Sequence, residues 1–314
     1  MTNLSIVVTN DVDAARLPEI AAALPGATVS RASNTSEFSA LLAGADIVGG
    51  SIPGDMLESA KQLKWLHSWA AGPDSQLYPA FISHPALLTS SAGNGAIPLA
   101  EHAMMLMLML NRQALKWVEA QRERRWVRHT HGELNGLTLG IIGAGHSGTD
   151  LALKAKAFHM RVLGLRRRSL PASNFDVFFA PGQLHSFLSQ CDFVVITAPL
   201  TPETQGLIDA AALRVMKPSA HIICFSRGGI IDDAALITAL GEGWIAGAGL
   251  DAHGIEPLPP HSPFWTLPNT IITPHNGATT EATKERGFQI FLDNLRRYAS
   301  GAPLINLVDK HAGY

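Results

Sequence analysis

Three side chains in the C-terminal half of this chain have the types needed to hold a small organic anion and hand it a proton: Arg227, Glu256 and His275. Each follows an apolar, strand-like run. Arg227 comes after His221-Ile-Ile-Cys-Phe-Ser, Glu256 stands in the loop after Gly247-Ala-Gly-Leu-Asp251, and His275 ends Thr270-Ile-Ile-Thr-Pro-His. In open α/β sheets ligands gather beyond the carboxyl ends of the strands, which is where all three are expected. Taken singly, each has an ordinary alternative: an arginine in a turn is usually solvated, a loop glutamate caps or solubilises, and a lone histidine is more often a satisfied structural residue. Taken together they match what reduction of a 2-oxo acid requires, a carboxylate held, a carbonyl polarised and a proton supplied to the oxygen as hydride arrives. Arg227 offers a planar cationic fork, His275 is the acid, and Glu256 orients His275 and favours its protonated form.

A place for the hydride donor is written at Thr138-Leu-Gly-Ile-Ile-Gly143-Ala-Gly145-His146-Ser147-Gly148. Gly143 permits a tight turn, Gly145 lets backbone N–H groups approach a pyrophosphate, and Gly148 lets the following helix pack closely while its N-terminal dipole faces the anion. Alone, such a motif can merely close a βα unit. Here Leu139, Ile141 and Ile142 read as a buried strand before it, and Leu151, Leu153 and Ala155 open a helical pattern after it. Roughly 20 residues on, where an acid would accept the ribose hydroxyl of NAD, the next strand runs into Arg166, Arg167 and Arg168. A run of arginines is ordinarily a solvated face. Its position after this strand points instead to a 2′-phosphate, so the expected cofactor is NADP, with NAD as the alternative.

The elements that must position these groups follow from periodicity. Strand signals at 4–9, 27–31, 46–49, 64–68 and 86–90 alternate with helical segments, giving a flavodoxin-like first domain. A long helix is predicted over 98–127, with Pro98 in its first turn. Six further strands, at 137–142, 161–165, 193–197, 221–225, 246–250 and 270–273, fit a doubly wound parallel-sheet (Rossmann) dinucleotide domain. A last helix over 281–298 crosses back to the first domain. The expected division is therefore a discontinuous substrate domain of residues 1–97 and 284–314 around a dinucleotide-binding domain of residues 98–283. Asp209, Asp232 and Asp233 are expected to cap helices, and Asp192 to be structural.

At 314 residues and 46% hydrophobic content the chain can fill two cores. A formal net charge of −2 gives no basic field, so nucleic acid and anionic membrane are not expected partners. Cys191 and Cys224 lie in apolar runs and read as reduced core thiols, and nothing in the spacing of Cys and His indicates a metal. The N-terminus reads as a strand rather than a secretory signal, which makes a cytoplasmic location the expectation. The Met-rich run 103–110 is too short to cross a bilayer; Met104, Met105, Met107 and Met109 pack either a buried helix or a subunit contact.

The chain resembles the D-isomer-specific 2-hydroxyacid dehydrogenases over nearly its whole length. The motifs that carry the likeness occur in the family's order: GLTLGIIGAGHSG, CDFVVITAPLTPETQGLID, SRGGIIDDAAL, GAGLDAHGIEPLPPHSPFWTLPN and TPHNGATT. The resemblance implies that Arg227, Glu256 and His275 are the catalytic arginine, glutamate and histidine. It implies that Asp251 lies beside the nicotinamide amide, and that His146, Ser147, Pro199 and Ser226 line the cofactor. Trp69-Ala-Ala71-Gly72 is similar to the family's backbone N–H clamp for the substrate carboxylate. The arginines at 166–168 are similar to those of the family's NADP-preferring glyoxylate and hydroxypyruvate reductases. Pro73 replaces the apolar branched residue common before the aspartate, here Asp74, and Ser226 stands where asparagine is frequent. The expected activity is NADPH-dependent reduction of glyoxylate or hydroxypyruvate to the D-hydroxy acid by a homodimer joined through the 104–110 run, Trp117 and Trp126. The alternatives are a reductase of bulkier 2-oxo acids such as phenylpyruvate, and a non-catalytic dinucleotide sensor that binds a protein partner.

Overall fold

The computed structural model describes residues 4–167 and 173–313, so Arg168 lies outside the described residues. The chain divides into two compact units, Met1–Asn94 with Thr280–Tyr314, and Gly95–Thr279.

The first unit is built on five parallel strands, β1 (Ser5–Val8), β2 (Thr28–Arg31), β3 (Ile47–Gly49), β4 (Trp65–Ser68) and β5 (Leu87–Ser90), in the order β2-β1-β3-β4-β5. That order is the flavodoxin-like one expected from the strand spacing. Both faces are covered, so the apolar residues that alternate along the central strands feed opposite cores. Val7, Val48, Leu66 and Leu88 pack with Phe38, Leu42 and Phe81 on one face. Ile6, Val8, Ile47 and Trp65 meet Ile20, Phe288, Phe291 and Leu295 on the other. Helices α1 (Leu17–Ala23), α2 (Thr35–Leu42) and α3 (Pro79–Ile82) connect the strands, and Asn34 caps α2 by accepting from the Glu37 N–H at 2.9 Å. The C-terminal tail is tied down by Lys310, whose ammonium donates to the carbonyls of Phe81 and Ala86 at 3.1 Å and to that of His84.

The second unit begins with α4 (Ala96–Asn111) and α5 (Ala114–Arg122). The single helix predicted over 98–127 is therefore two. Gln113 adopts φ 52° between them, and the carbonyls that would carry α4 onward are taken by a later loop, Arg112 by His129 Nε2 at 3.2 Å and Asn111 by the Gly132 N–H at 3.1 Å. Periodicity does not register such non-local competition. There follow β6 (Thr138–Ile142), α6 (His146–Ala157), β7 (Arg161–Leu165), β8 (Val177–Phe179), α7 (Leu184–Leu188), β9 (Phe193–Ile196), α8 (Ala210–Arg214), β10 (His221–Cys224), α9 (Asp233–Gly241), β11 (Gly247–Leu250) and β12 (Thr270–Ile272), after which α10 (Glu281–Ser300) belongs again to the first unit. The sheet has seven strands, not six, in the order β12-β11-β10-β9-β6-β7-β8. The missed one, β8, is a three-residue edge strand, too short for an alternating pattern. All pairings are parallel, and the chain reverses direction across the sheet between β6 and β9, the place where such folds take a dinucleotide.

The aspartates sort by position. Asp209 and Asp232 cap α8 and α9, accepting from Ala212 N–H at 2.8 Å and Ala235 N–H at 3.0 Å. Asp233, expected to cap as well, is instead the first residue inside α9, because Asp232 already holds the cap. Asp192 is structural: it accepts from Thr138 N–H at 2.8 Å and from Lys217 at 2.7 Å. Both cysteines are buried free thiols, and burial pushes Cys191 up to about 12. Met104 and Met107 are core residues of α4, whereas Met105 is exposed. Among the described residues no helix is long and apolar enough to cross a membrane.

A buried imidazole and a half-buried one make acid destabilise this fold. Burial lowers His67 on β4 to about 3 and His221 on β10 to about 4. The unfolded chain therefore takes up two protons below the ordinary histidine range of about 6.5 that the folded chain refuses until pH 4 or lower. Stability should fall between pH 6 and 4 by about 1.4 kcal/mol per pH unit for each ring. Denaturant titrations across that range measure it, and His221→Phe should remove about half of the slope from this pair. A flat profile would contradict the burial of both rings.

Candidate active site

The glycine turn after β6 shows which of its glycines the protein itself needs. Gly143 sits at φ +102°, and a Cβ there would lie 2.8 Å from the Ala198 nitrogen. A Cβ on Gly148 would lie 2.1 Å from the Gly143 carbonyl oxygen, so helix α6 can approach its strand only without one. Thr197, just past β9, donates to that same carbonyl at 2.6 Å and fixes the turn. Gly145 is different: its φ is −83° and nothing of the protein lies within 4 Å of its would-be Cβ. Bareness there serves no packing purpose. Gly145 is the N-cap of α6, where His146 and Ser147 are the first helical residues and no side chain caps the helix, the environment a dinucleotide pyrophosphate needs.

The other residues assigned to the cofactor are placed as follows. The Arg166 guanidinium lies over the Phe178 ring of β8 at 3.5 Å from its centroid, which holds the fork flat and leaves its N–H edge for an anion. Arg167 is exposed beside it. Pro199 follows β9, its carbonyl accepting from Thr204 Oγ1 at 2.7 Å. Ser226 and Arg227 follow β10, where Arg227 Nη1 donates to the Ser226 carbonyl at 2.7 Å.

Glu256 and His275 are brought together. His275 Nδ1 is 2.9 Å from both carboxylate oxygens. Burial acts to raise the Glu256 carboxyl, but the His253 backbone N–H at 2.8 Å and the His275 ring outweigh it and hold the group below its usual value. An ionised carboxylate only accepts, so Nδ1 carries the proton that is shared with it and Nε2 is left for chemistry.

Asp251 follows β11 as a buried anion. Its side chain is 0% exposed. Its oxygens accept from Thr273 Oγ1 at 2.6 Å and from the backbone N–H groups of Asn276 and Gly277 at 3.1 and 3.0 Å. His102 of α4 completes the set by donating from Nε2 to Thr273 Oγ1 at 3.0 Å. These bonds brace the turn in which His275 adopts φ 51°, a left-handed conformation that costs a non-glycine residue of order 1–3 kcal/mol. His253 adds a second brace. Its backbone N–H holds Glu256, while its Nε2 donates to the Thr273 carbonyl at 3.2 Å. Sequence reasoning missed His102, His253 and Thr273, since each acts through a partner far along the chain or through its backbone.

Within the first unit, β4 leads into Trp69-Ala-Ala71-Gly72. The Ser91 N–H binds the carbonyls of Ser68 and Ala70 at 3.0 and 3.1 Å. Among the described residues no protein acceptor is recorded for the N–H groups of Ala70, Ala71 and Gly72.

Residues 104–277 match the family model described as D-isomer specific 2-hydroxyacid dehydrogenase, NAD binding domain. The chain belongs to the D-isomer specific 2-hydroxyacid dehydrogenases. It is 32% identical over 268 residues to a glyoxylate reductase of Korarchaeum cryptofilum, covering 82% of this chain and 80% of that one. A crystal structure of a D-isomer specific 2-hydroxyacid dehydrogenase family protein from Aeromonas salmonicida matches with a TM-score of 0.88 at 33% identity, covering 99% of this chain and 100% of that one. An NADPH-dependent glyoxylate/hydroxypyruvate reductase from Sinorhizobium meliloti, solved with NADP and sulfate, matches with a TM-score of 0.85 at 29% identity over 100% of both chains. The chain is accordingly an oxidoreductase of this family that uses a nicotinamide dinucleotide and acts on 2-oxo acids.

The two later glycines of the turn should separate folding from binding. Gly148→Ala forces a Cβ onto the Gly143 carbonyl and should cost several kcal/mol of stability, the order seen for overpacked or strained sites. Gly145→Ala should leave the melting temperature within about a degree, since it meets nothing, yet weaken dinucleotide binding about tenfold or more by pushing the pyrophosphate off the backbone. Thermal scans and cofactor titrations of the pair check this; equal loss of stability in both would refute it.

Proposed function

We propose that this dehydrogenase reduces small 2-oxo acids, glyoxylate and hydroxypyruvate foremost, to D-2-hydroxy acids with NADPH. The observation that carries the reading is the imidazole of His275 held by both oxygens of Glu256 at 2.9 Å. When bound, the dinucleotide supplies the hydride that reduces the carbonyl carbon. His275 delivers the proton from Nε2 to the carbonyl oxygen, and Glu256 keeps the ring in the tautomer and orientation that this needs. Arg227 supplies the fork for the carboxylate and the carbonyl. The N–H groups of Ala71 and Gly72, with Trp69 beside them, bind the carboxylate, since no protein acceptor is recorded for them among the described residues.

Preference for NADP over NAD is supported by Arg166 stacked on Phe178, with Arg167 next to it, at the end of β7 where an acid would favour NAD. The Sinorhizobium enzyme named NADPH-dependent supports the cofactor reading, and the archaeal relatives named glyoxylate reductases support the substrate reading. A cytoplasmic homodimer is part of it. Exposed Ile97, Met105, Leu115, Val118 and Trp126 give the second unit apolar surface suited to a second copy, and a light-scattering mass of one chain would remove that part.

A panel of 2-oxo acids with NADPH and NADH tests the whole. Glyoxylate or hydroxypyruvate should be turned over in preference to phenylpyruvate; the reverse order overturns the substrate assignment. His275→Ala should lower kcat by 100-fold or more, the order of a lost general acid, with cofactor affinity little changed. Arg227→Lys should damage both kcat and the KM of the acid. Arg166→Asp should raise the KM of NADPH at least about tenfold while sparing NADH, because a charge-assisted phosphate bond is worth about 1.5–3 kcal/mol. Equal changes for the two cofactors would remove Arg166 from that role.

A further inference from the structure

The Trp69–Gly72 loop rests on a buried polar chain. Trp65, His67, Thr89 and Ser91 are all 0% exposed. Trp65 Nε1 donates to Thr89 Oγ1 at 2.8 Å, His67 Nδ1 lies 2.8 Å from that same oxygen, and His67 Nε2 lies 3.2 Å from Ser91 Oγ. Ser91 Oγ donates to the Ser68 carbonyl at 3.3 Å. Counting hydrogens fixes every direction. Since the one hydroxyl hydrogen of Ser91 goes to a carbonyl, its oxygen must accept from His67 Nε2–H. The neutral ring then has a bare Nδ1, which accepts from the Thr89 hydroxyl, whose oxygen in turn accepts from Trp65. The chain runs one way, from the core to the loop. It ends at Ser91, whose backbone N–H also holds the carbonyls of Ser68 and Ala70.

We propose that His67 is a positioning residue for substrate binding: through the Ser91 hydroxyl it anchors the Ser68 carbonyl and fixes Ser91, whose backbone N–H holds the Ala70 carbonyl, leaving the N–H groups of Ala70, Ala71 and Gly72 for an acid's carboxylate. This rests on the 2-oxo acid reading, and it assigns the ring no proton transfer. Burial, which lowers His67 to about 3, keeps the ring neutral near pH 7. Aromatic packing holds it in place. The ring stacks on Phe291 at 5.1 Å between centroids and meets the edge of Trp69 at 5.2 Å.

The test compares His67→Leu, His67→Gln and Ser91→Ala in steady-state assays with glyoxylate and NADPH, alongside hydrogen exchange of the peptide spanning residues 66–74. His67→Leu and Ser91→Ala should each raise the KM of glyoxylate about five- to tenfold, the worth of about one hydrogen bond, with kcat and the KM of NADPH within about twofold. His67→Gln retains an amide donor for Ser91 and should recover most of the glyoxylate KM. Exchange in the 66–74 peptide should quicken in His67→Leu and not in His67→Gln. A fall in kcat with unchanged glyoxylate KM, or equal effects of Leu and Gln, would overturn the proposal. Absence of turnover by the parent protein with every 2-oxo acid would sink the function reading, whereas the exchange result upholds or overturns the link from His67 to the loop by itself.

Discussion

The contact on which the proposed chemistry depends is the pair between His275 Nδ1 and the Glu256 carboxylate. Its side chains are each 37% exposed, so solvent screens the attraction and the pair cannot hold itself in place by charge alone. Its geometry is imposed from below. Asp251, wholly buried, uses its charge on two backbone N–H groups that follow His275, and His253 ties the Glu256 carboxylate to the end of the strand that carries His275. A buried anion is costly unless it is fully bonded. Here the cost is offset by three donors, one of which, the Thr273 hydroxyl, accepts in turn from His102, and the result is a fixed loop with a left-handed histidine at its tip.

Sheet topology explains why these groups share one edge. Strands β10, β11 and β12 are adjacent and parallel, so the segments that leave their carboxyl ends, bearing Arg227, Glu256 and His275, emerge on the same side. The glycine turn after β6 leaves the same edge, next to β9. No side chain had to be recruited from the opposite end of a strand. A parallel sheet turns residues that are distant in sequence into neighbours in space without any special local structure.

Much of this was legible in the residues. Short, mainly apolar runs at regular spacing located the strands of both sheets except β8, because strands covered on both faces are built mostly from apolar residues. The catalytic candidates were legible because three titratable residues of suitable types follow the carboxyl ends of consecutive parallel strands, where ligands gather. What stayed hidden were non-local polar bonds. The break between α4 and α5 depends on His129 and Gly132 taking carbonyls from Arg112 and Asn111. The burial of Asp251 depends on Thr273 and the backbone beyond it. The motif shows an acid after the strand; the donors around its oxygens show only in three dimensions.

The two units share a way of holding their functional loops. In the second, His102 hands a hydrogen bond through Thr273 to Asp251, which grips backbone N–H groups beyond His275. In the first, Trp65 and Thr89 lead through His67 to Ser91, which grips backbone carbonyls beside Trp69. The ends have opposite polarity. Grasping N–H groups frees the turn to project a side chain, as at His275. Grasping carbonyls turns the acceptors inward and leaves N–H donors, which is what a loop meant for an anion needs. A hydroxyl sits in the middle of each chain because it both accepts and donates, and so can pass on the direction of a bond that an imidazole begins. Replacing such a chain by hydrocarbon could keep the core filled, but it would release the one backbone orientation that the loop requires.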